Sequence, residues 1–131
     1  MKVKMLACCE KTILDIETNR ASCINIIDSI ESKSFPILIS SFNVLSIFDK
    51  EKGDGDEIFY TLFLNLNDSE ILSRSLSVDF SDVSVGVRSL VEINNFVIPV
   101  NGDLVIQLID YSGSLLSSWH IKVERETQSQ V

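Results

Sequence analysis

Apolar and polar positions alternate with a period of two along much of this chain, the spacing of half-buried strands rather than of helices. The plainest stretch runs from Asp103 to Glu124. Leu104, Ile106 and Leu108 alternate there with Val105, Gln107 and Ile109. Asp110-Tyr111-Ser112-Gly113-Ser114 supplies a turn, with Gly113 free to take a positive φ. Beyond the turn, Trp119, Ile121 and Val123 share one face, and His120, Lys122 and Glu124 take the other. Glu57 to Phe80 repeats the plan around Asn67-Asp68-Ser69-Glu70. Ile58, Tyr60, Leu62, Leu64 and Leu66 form one row, and Leu72, Leu76, Val78 and Phe80 form its match. Arg74 interrupts the second row and marks an edge or opening.

The remaining stretches fit the same pattern. Val3, Met5, Ala7 and Cys9 alternate with Lys2, Lys4, Leu6 and Cys8 in a first strand. Lys11 to Arg20 reads as a connection, with room for a short strand over Thr12 to Asp15 and a turn at Glu17 to Arg20. Ser22 to Ile30 reads as one strand, with Ile24, Ile26 and Ile30 on one face and Cys23 and Ile27 on the other. Glu31 to Phe35 is a loop closed by Pro36, a residue suited to a strand's first position or an edge. Ile37 to Phe48 is apolar on both faces. It fits a central strand covered on both sides, or a strand that switches its inward face near Ser40-Ser41. The serines and β-branched residues count against a buried helix. Asp49 to Asp56 is a hydrophilic turn. Ser81 to Val87 continues extended or forms a loop. Leu90, Val91 and Ile93 mark a further strand, and Phe96 to Pro99 leads through the Asn101-Gly102 turn signal into the last hairpin.

About eight strands separated by short turns predict an all-β fold, a single-domain antiparallel β-sandwich of immunoglobulin-like or jelly-roll-like type. The domain is expected over residues 1–124, followed by a polar tail, 125–131. A chain of 131 residues hides roughly two-thirds of its unfolded surface on folding, enough for a core without disulfides or metal.

Charge narrows the function classes. With 19 acidic and 11 basic residues the net charge is −8. Such a surface repels phosphate backbones and anionic lipid, and no Lys/Arg cluster offsets it, so neither nucleic acid nor membrane is the expected partner. Three cysteines, Cys8, Cys9 and Cys23, make no disulfide framework and read as buried thiols of a cytoplasmic protein. Zinc would need paired Cys or His spacing, and there is one histidine. The opening MKVKMLACCE has too short an apolar run for a signal peptide, and no stretch approaches a membrane span.

Candidate chemistry is sparse. The run Asp49 to Glu57 gathers carboxylates of the kind calcium uses, but its spacing is not that of an EF-hand, and Lys50 and Lys52 oppose a cation. A solvated hairpin tip suits the run better. His120 is expected on an outward strand face. The serines lack a Gly-x-Ser-x-Gly elbow, and five glycines form no phosphate-cradling loop. No catalytic, metal or cofactor residue is assigned. Trp119 is expected in the core. If the even-numbered row of Ile58–Leu66 points inward, Phe59, Thr61 and Phe63 face out. Val105 and Ile109 add apolar side chains to a second outward row. These five residues are the expected partner contacts.

Cys9-Glu10, Ile27-Asp28-Ser29-Ile30, Phe35-Pro36 and the turn Asp110 to Gly113 together resemble a group of small bacterial β-sandwich domains of uncharacterised function. The likeness spans nearly the whole chain. It implies a compact sandwich and brings no catalytic residues. The expectation is therefore a non-enzymatic protein-binding or assembly module, whose partner is a protein, its own copies included, bound through an apolar sheet face or an edge strand. The alternative is a small-ligand-binding sandwich with a pocket formed by end loops.

Overall fold

A computed structural model describes residues 1–81 and 86–127. It is a β-sandwich of two packed sheets, with nine strands among the described residues: β1 (Lys2–Asp15), β2 (Arg20–Ile26), β3 (Ser29–Ser32), β4 (Ile37–Asp49), β5 (Glu57–Leu66), β6 (Ser69–Asp79), β7 (Val87–Ile98), β8 (Gly102–Asp110) and β9 (Leu115–Arg125). One sheet has the order β2-β1-β4-β7 and the other β3-β9-β8-β5-β6. The residues expected to be extended or loop from Ser81 to Val87, and those of the polar tail, lie partly outside the described residues, at 82–85 and 128–131.

The even-numbered row of β5 does point inward. Tyr60, Leu62, Leu64 and Leu66 are buried, and Leu104, Ile106 and Leu108 of β8 stand beside them. Ile93, Phe42, Val44 and Phe48 close the core from the other sheet. A small polar island sits inside it. The Tyr60 hydroxyl shares a 2.8 Å hydrogen bond with the Ser89 hydroxyl, and buried Ser46 donates to the Ser89 carbonyl. Burial pushes the Tyr60 phenol above its usual range, partly offset by its serine neighbours.

Two differences from the sequence pattern shape the molecule. The first is that Ser22 to Ile30 is two strands, not one. β2 pairs with β1, and β3 crosses to the other sheet and runs parallel to β9. The crossing residues are held on both sides: the Ile27 N–H donates to the Cys8 carbonyl, and the Trp119 indole N–H donates to the Ile27 carbonyl at 2.8 Å. Trp119, expected in the core, is partly buried and packs against it. The second difference is the length of β1, which runs on through Asp15. β1 pairs with β4 only as far as Cys9↔Asn43, then continues with β2 alone.

The bend lies at Glu10 and its cross-strand neighbour Asn25. Asn25 takes a φ of 56°, in the left-handed region that asparagine tolerates better than most residues. Its side-chain amide donates to Glu10 at 2.9 Å. Beyond the bend the β1–β2 hairpin lies back over the outer face of its own sheet. Thr12, Leu14 and Ala21 face Leu45 and Leu90 across a groove of about 400 Å³. The tip is tied down by Arg88, whose guanidinium donates to the Asn19 carbonyl at 2.6 Å and to its side-chain oxygen at 2.9 Å. Ala7, Cys9 and Leu45 are buried as a result. Within the Ile37–Phe48 run, Leu45 is thus covered by the hairpin on the side away from the core, whereas Leu38 stays 63% exposed.

The change of inward face near Ser40-Ser41 is also present, in a coupled form. Core packing passes from Ile37 and Ile39 to Phe42, Val44 and Phe48 along β4, and from Ile98 and Phe96 to Ile93 and Val91 along β7. The β4–β7 register does not shift. Both strands turn over together at Ser40 and Asn95, and Asn95 takes a φ of 53°. The rings of Phe42 and Phe96 meet edge to face at 5.5 Å beside this point.

At the end of the other sheet, Asn67 clamps the turn into β8. Its side-chain oxygen accepts the Asp103 N–H, and its amide donates to the Asn101 carbonyl. Gly102, at a φ of 146°, passes so close that an added Cβ would fall 1.9 Å from the Asn67 side-chain oxygen. Gly102→Ala is therefore expected to break the clamp and to lower stability by ~2 kcal/mol, read as a lower urea midpoint at an unchanged slope.

Candidate functional site: the outer face of the five-stranded sheet

The five residues expected as partner contacts come together on one surface, the outer face of the sheet β3-β9-β8-β5-β6. Strand register sets the arrangement, because directly opposed residues share a face. Thr61 stands opposite Ile109, Phe63 opposite Gln107 and Asn65 opposite Val105. Phe59 is 59% exposed; Thr61, Phe63, Val105 and Ile109 are half-buried among their neighbours.

Three further components of the face emerge from pairing. Leu115, 56% exposed, lies opposite Ile109 across a register shift in the β8–β9 hairpin. Ser73, Ser75 and Ser77 of β6 lie opposite Phe63, Thr61 and Phe59. Ser118 and His120 continue the rows on β9, opposite Gln107 and Val105. The alternation of serine with Leu72, Leu76 and Val78 was visible in the sequence as a signal for this outer row. Leu115 was not, because the register shift moves it off the strict alternation.

The centre of this face holds no Lys, Arg, Asp or Glu. Its polar groups pair with one another: Asn65 donates to Gln107 at 3.0 Å, and Ser118 and His120 share a 3.3 Å contact. Charges stand at the ends of the rows. Lys122 lies opposite Asp103 and pairs with Glu124 at 2.9 Å, which raises its ammonium pKa. Glu57 lies opposite Asp79 at the other end. Arg74, the break in the inward row, marks an edge as expected: it reaches from β6 across the seam to the Glu92 carbonyl of β7.

Other candidate chemistry falls in different places. His120 lies on this outer face, whereas Cys8 belongs to the core side of the other sheet and Cys9 and Cys23 to the far side beneath the hairpin. Imidazole and thiols are separated by the core, so they form no nucleophile–base pair. Burial pushes the Cys8 thiol up to about 12 and the Cys23 thiol up to about 11, the latter helped by its hydrogen bond with Cys9. The acidic run Asp49 to Glu57 spends its carboxylates locally. Asp54 and Glu51 face the Met1 ammonium at 2.5 and 3.2 Å, and Lys50 pairs with Asp56. The ammonium holds the Asp54 carboxyl below its usual range. Among the described residues no cluster of three His, Cys, Asp or Glu side chains has the arrangement of a metal site. A shallow groove of about 370 Å³ beside this loop is lined by Asp54, Glu57, Phe59 and Tyr111. Among the described residues, no helix is long and apolar enough to cross a membrane.

The quoted resemblance residues each hold a structural position. Cys9-Glu10 is the bend in β1, Ile27-Asp28 is the crossing between sheets, and Phe35-Pro36, a cis peptide, precedes β4. Asp110 caps its own turn by accepting the N–H groups of Ser112 and Ser114 and the Ser112 hydroxyl; these bonds, the hydroxyl foremost, lower its pKa.

The thiols give a test of the folded-back hairpin. Covered thiols react slowly, so iodoacetamide at pH 8 is expected to spare the buried Cys8 and Cys9 until the protein is denatured. Arg88→Ala, which frees the hairpin tip, is expected to speed labelling of Cys23 and Cys9 but not of Cys8, as read by intact mass and peptide mapping. Because folding favours the neutral Cys8 thiol, its stabilising effect is full below pH 9.0 and is lost as pH rises towards about 12.

No protein-family model and no curated protein matches this chain.

Proposed function

We propose that this protein is a non-enzymatic assembly module whose partner is a protein, first of all a second copy of itself, bound through the outer face of the five-stranded sheet. The observation that carries the reading is the contrast between two outer faces. The chain lays its own β1–β2 hairpin over part of one, burying Leu45 while Leu90 stays half exposed. The other presents Phe59, Thr61, Phe63, Val105, Ile109 and Leu115 in adjoining rows to solvent.

Electrostatics favours a like partner here. A chain of net charge −8 repels its own copies at most orientations. Two charge-free sheet centres facing each other keep the carboxylates at the periphery, where water screens them. Sheets stacked face to face sit about 10 Å apart, with side chains of this size interdigitating. Five strands spaced by about 4.8 Å, over about seven residues each, present on the order of 500 Å² of projected face per copy. That is the scale of a weak, reversible association rather than an obligate one.

The second reading, a small ligand held between end loops, rests on the groove beside Phe59 and Tyr111. Its carboxylate Asp54 is already engaged by the Met1 ammonium, and its walls are largely solvent-exposed, so it supports the reading less well.

Sedimentation velocity separates the two readings. The assembly reading expects a concentration-dependent shift from one chain to two between low and high micromolar. Phe59→Glu and Ile109→Lys are each expected to hold the protein at one chain with an unchanged circular dichroism spectrum. A wild-type mass of one chain throughout that range contradicts the assembly reading.

A further inference from the structure

The departure of β1 at Cys9 leaves a second feature, distinct from the sheet face. From Ile37 to Phe42, β4 has a backbone partner on one side only, β7. β3 likewise pairs only with β9. These two open edges face one another across a groove of about 690 Å³, lined by Ser29, Ile30 and Glu31 on one side and Leu38 to Ser41 on the other. No backbone hydrogen bond among the described residues joins β3 to β4. Ile27, Ile30 and Ile39 are partly buried against the core along the groove. Glu10 and Lys11 close its head, and Glu10 is already engaged by Asn25.

We infer that this groove is a strand acceptor, binding an extended segment of a partner protein that lies between β3 and β4 and joins the two sheets. The chemistry of the walls selects this occupant. Each wall offers backbone N–H and C=O groups at the spacing of a strand, and an extended polypeptide answers both at once. A small apolar molecule would cover the isoleucines but leave the edges to water. A flat sheet face would not enter the groove. The accepted segment has apolar side chains at alternate positions, turned towards Ile27, Ile30 and Ile39, and spans about 13 Å, the length of the four residues of β3. Proline is excluded where its missing N–H faces an edge. The groove and the assembly face lie on different sides of the molecule, so either holds without the other.

The test begins with a displayed library of random decapeptides panned against the full chain. Enriched sequences are expected to alternate apolar and polar residues. The best peptide, synthesised with a fluorophore, is expected to slow amide hydrogen exchange at Leu38 to Ser41 and at Ile30 and Glu31. Ile39→Glu should weaken its binding roughly tenfold or more. Leu38→Asp, at a side chain already 63% exposed and therefore harmless to folding, should also weaken it. Phe59→Glu should leave it unchanged. Enrichment of no alternating sequence, binding without protection of the β4 amides, or binding indifferent to both groove variants overturns the inference. A doubled mass that Leu38→Asp abolishes and Phe59→Glu spares, with no peptide enriched, makes the groove a contact between copies and overturns it equally.

Discussion

The structure depends on a single event in its first strand: β1 pairs with β4 up to Cys9 and then leaves it. Everything asymmetric about the sandwich follows from that departure. The freed part of β1 pairs with β2 and lies back over its own sheet, sealing Ala7, Cys9 and Leu45. The same departure leaves β4 with an open edge from Ile37 to Phe42 and gives Ile27-Asp28 the task of crossing to the other sheet. The bend is stabilised locally, by the left-handed Asn25 and its bond to Glu10, and at a distance, by Arg88 on the Asn19 tip. A sandwich normally exposes both outer sheet faces. Here the chain lays a partial third layer over one of them and none over the other.

That unevenness gives the uncovered face its meaning. Its aromatic and aliphatic rows are separated by serine, threonine, asparagine and glutamine, which hydrogen-bond among themselves or to water at little cost when a partner closes over them. Charged side chains in those positions would make closure expensive. In a chain so acidic, a charge-free sheet centre is a compositional departure confined to one surface. On the proposed reading, its limited area makes the association one that forms and dissolves with concentration.

Much of the sandwich was legible in the sequence because period-two alternation is a direct consequence of strand geometry. The β5–β6 and β8–β9 hairpins, the inward row from Tyr60 to Leu66, the outward placement of Phe59 and Phe63, and Arg74 at an edge all follow from it. What alternation does not encode is where a strand ends its partnership. Ser22 to Ile30 keeps its apolar pattern across the break at Ile27-Asp28, since both halves bury the same kind of residue in different sheets. The long reach of β1 was hidden for a related reason: Thr12 to Asp15 alternates no more strongly than a loop, and its cover is its own sheet. Asn25 and Asn95 carry the positive φ angles that turn the strands, but asparagine is common enough in turns that neither announced a bend inside a strand. The double-sided hydrophobicity of Ile37 to Phe48 was a visible trace of two things, the change of inward face at Ser40 and the cover over Leu45. Of the site, the outward placement of Phe59, Thr61, Phe63, Val105 and Ile109 could be read from alternation alone, whereas that of Leu115 required the actual register.

The uneven covering of the two outer faces is tested most directly by hydroxyl-radical footprinting over a dilution series. The account predicts that oxidation of Phe59, Phe63 and Leu115 falls as protein concentration rises, while Leu90 and Ile26, on the hairpin-covered sheet, react at a constant rate. Equal rates at all concentrations for Phe59, Phe63 and Leu115 would contradict it.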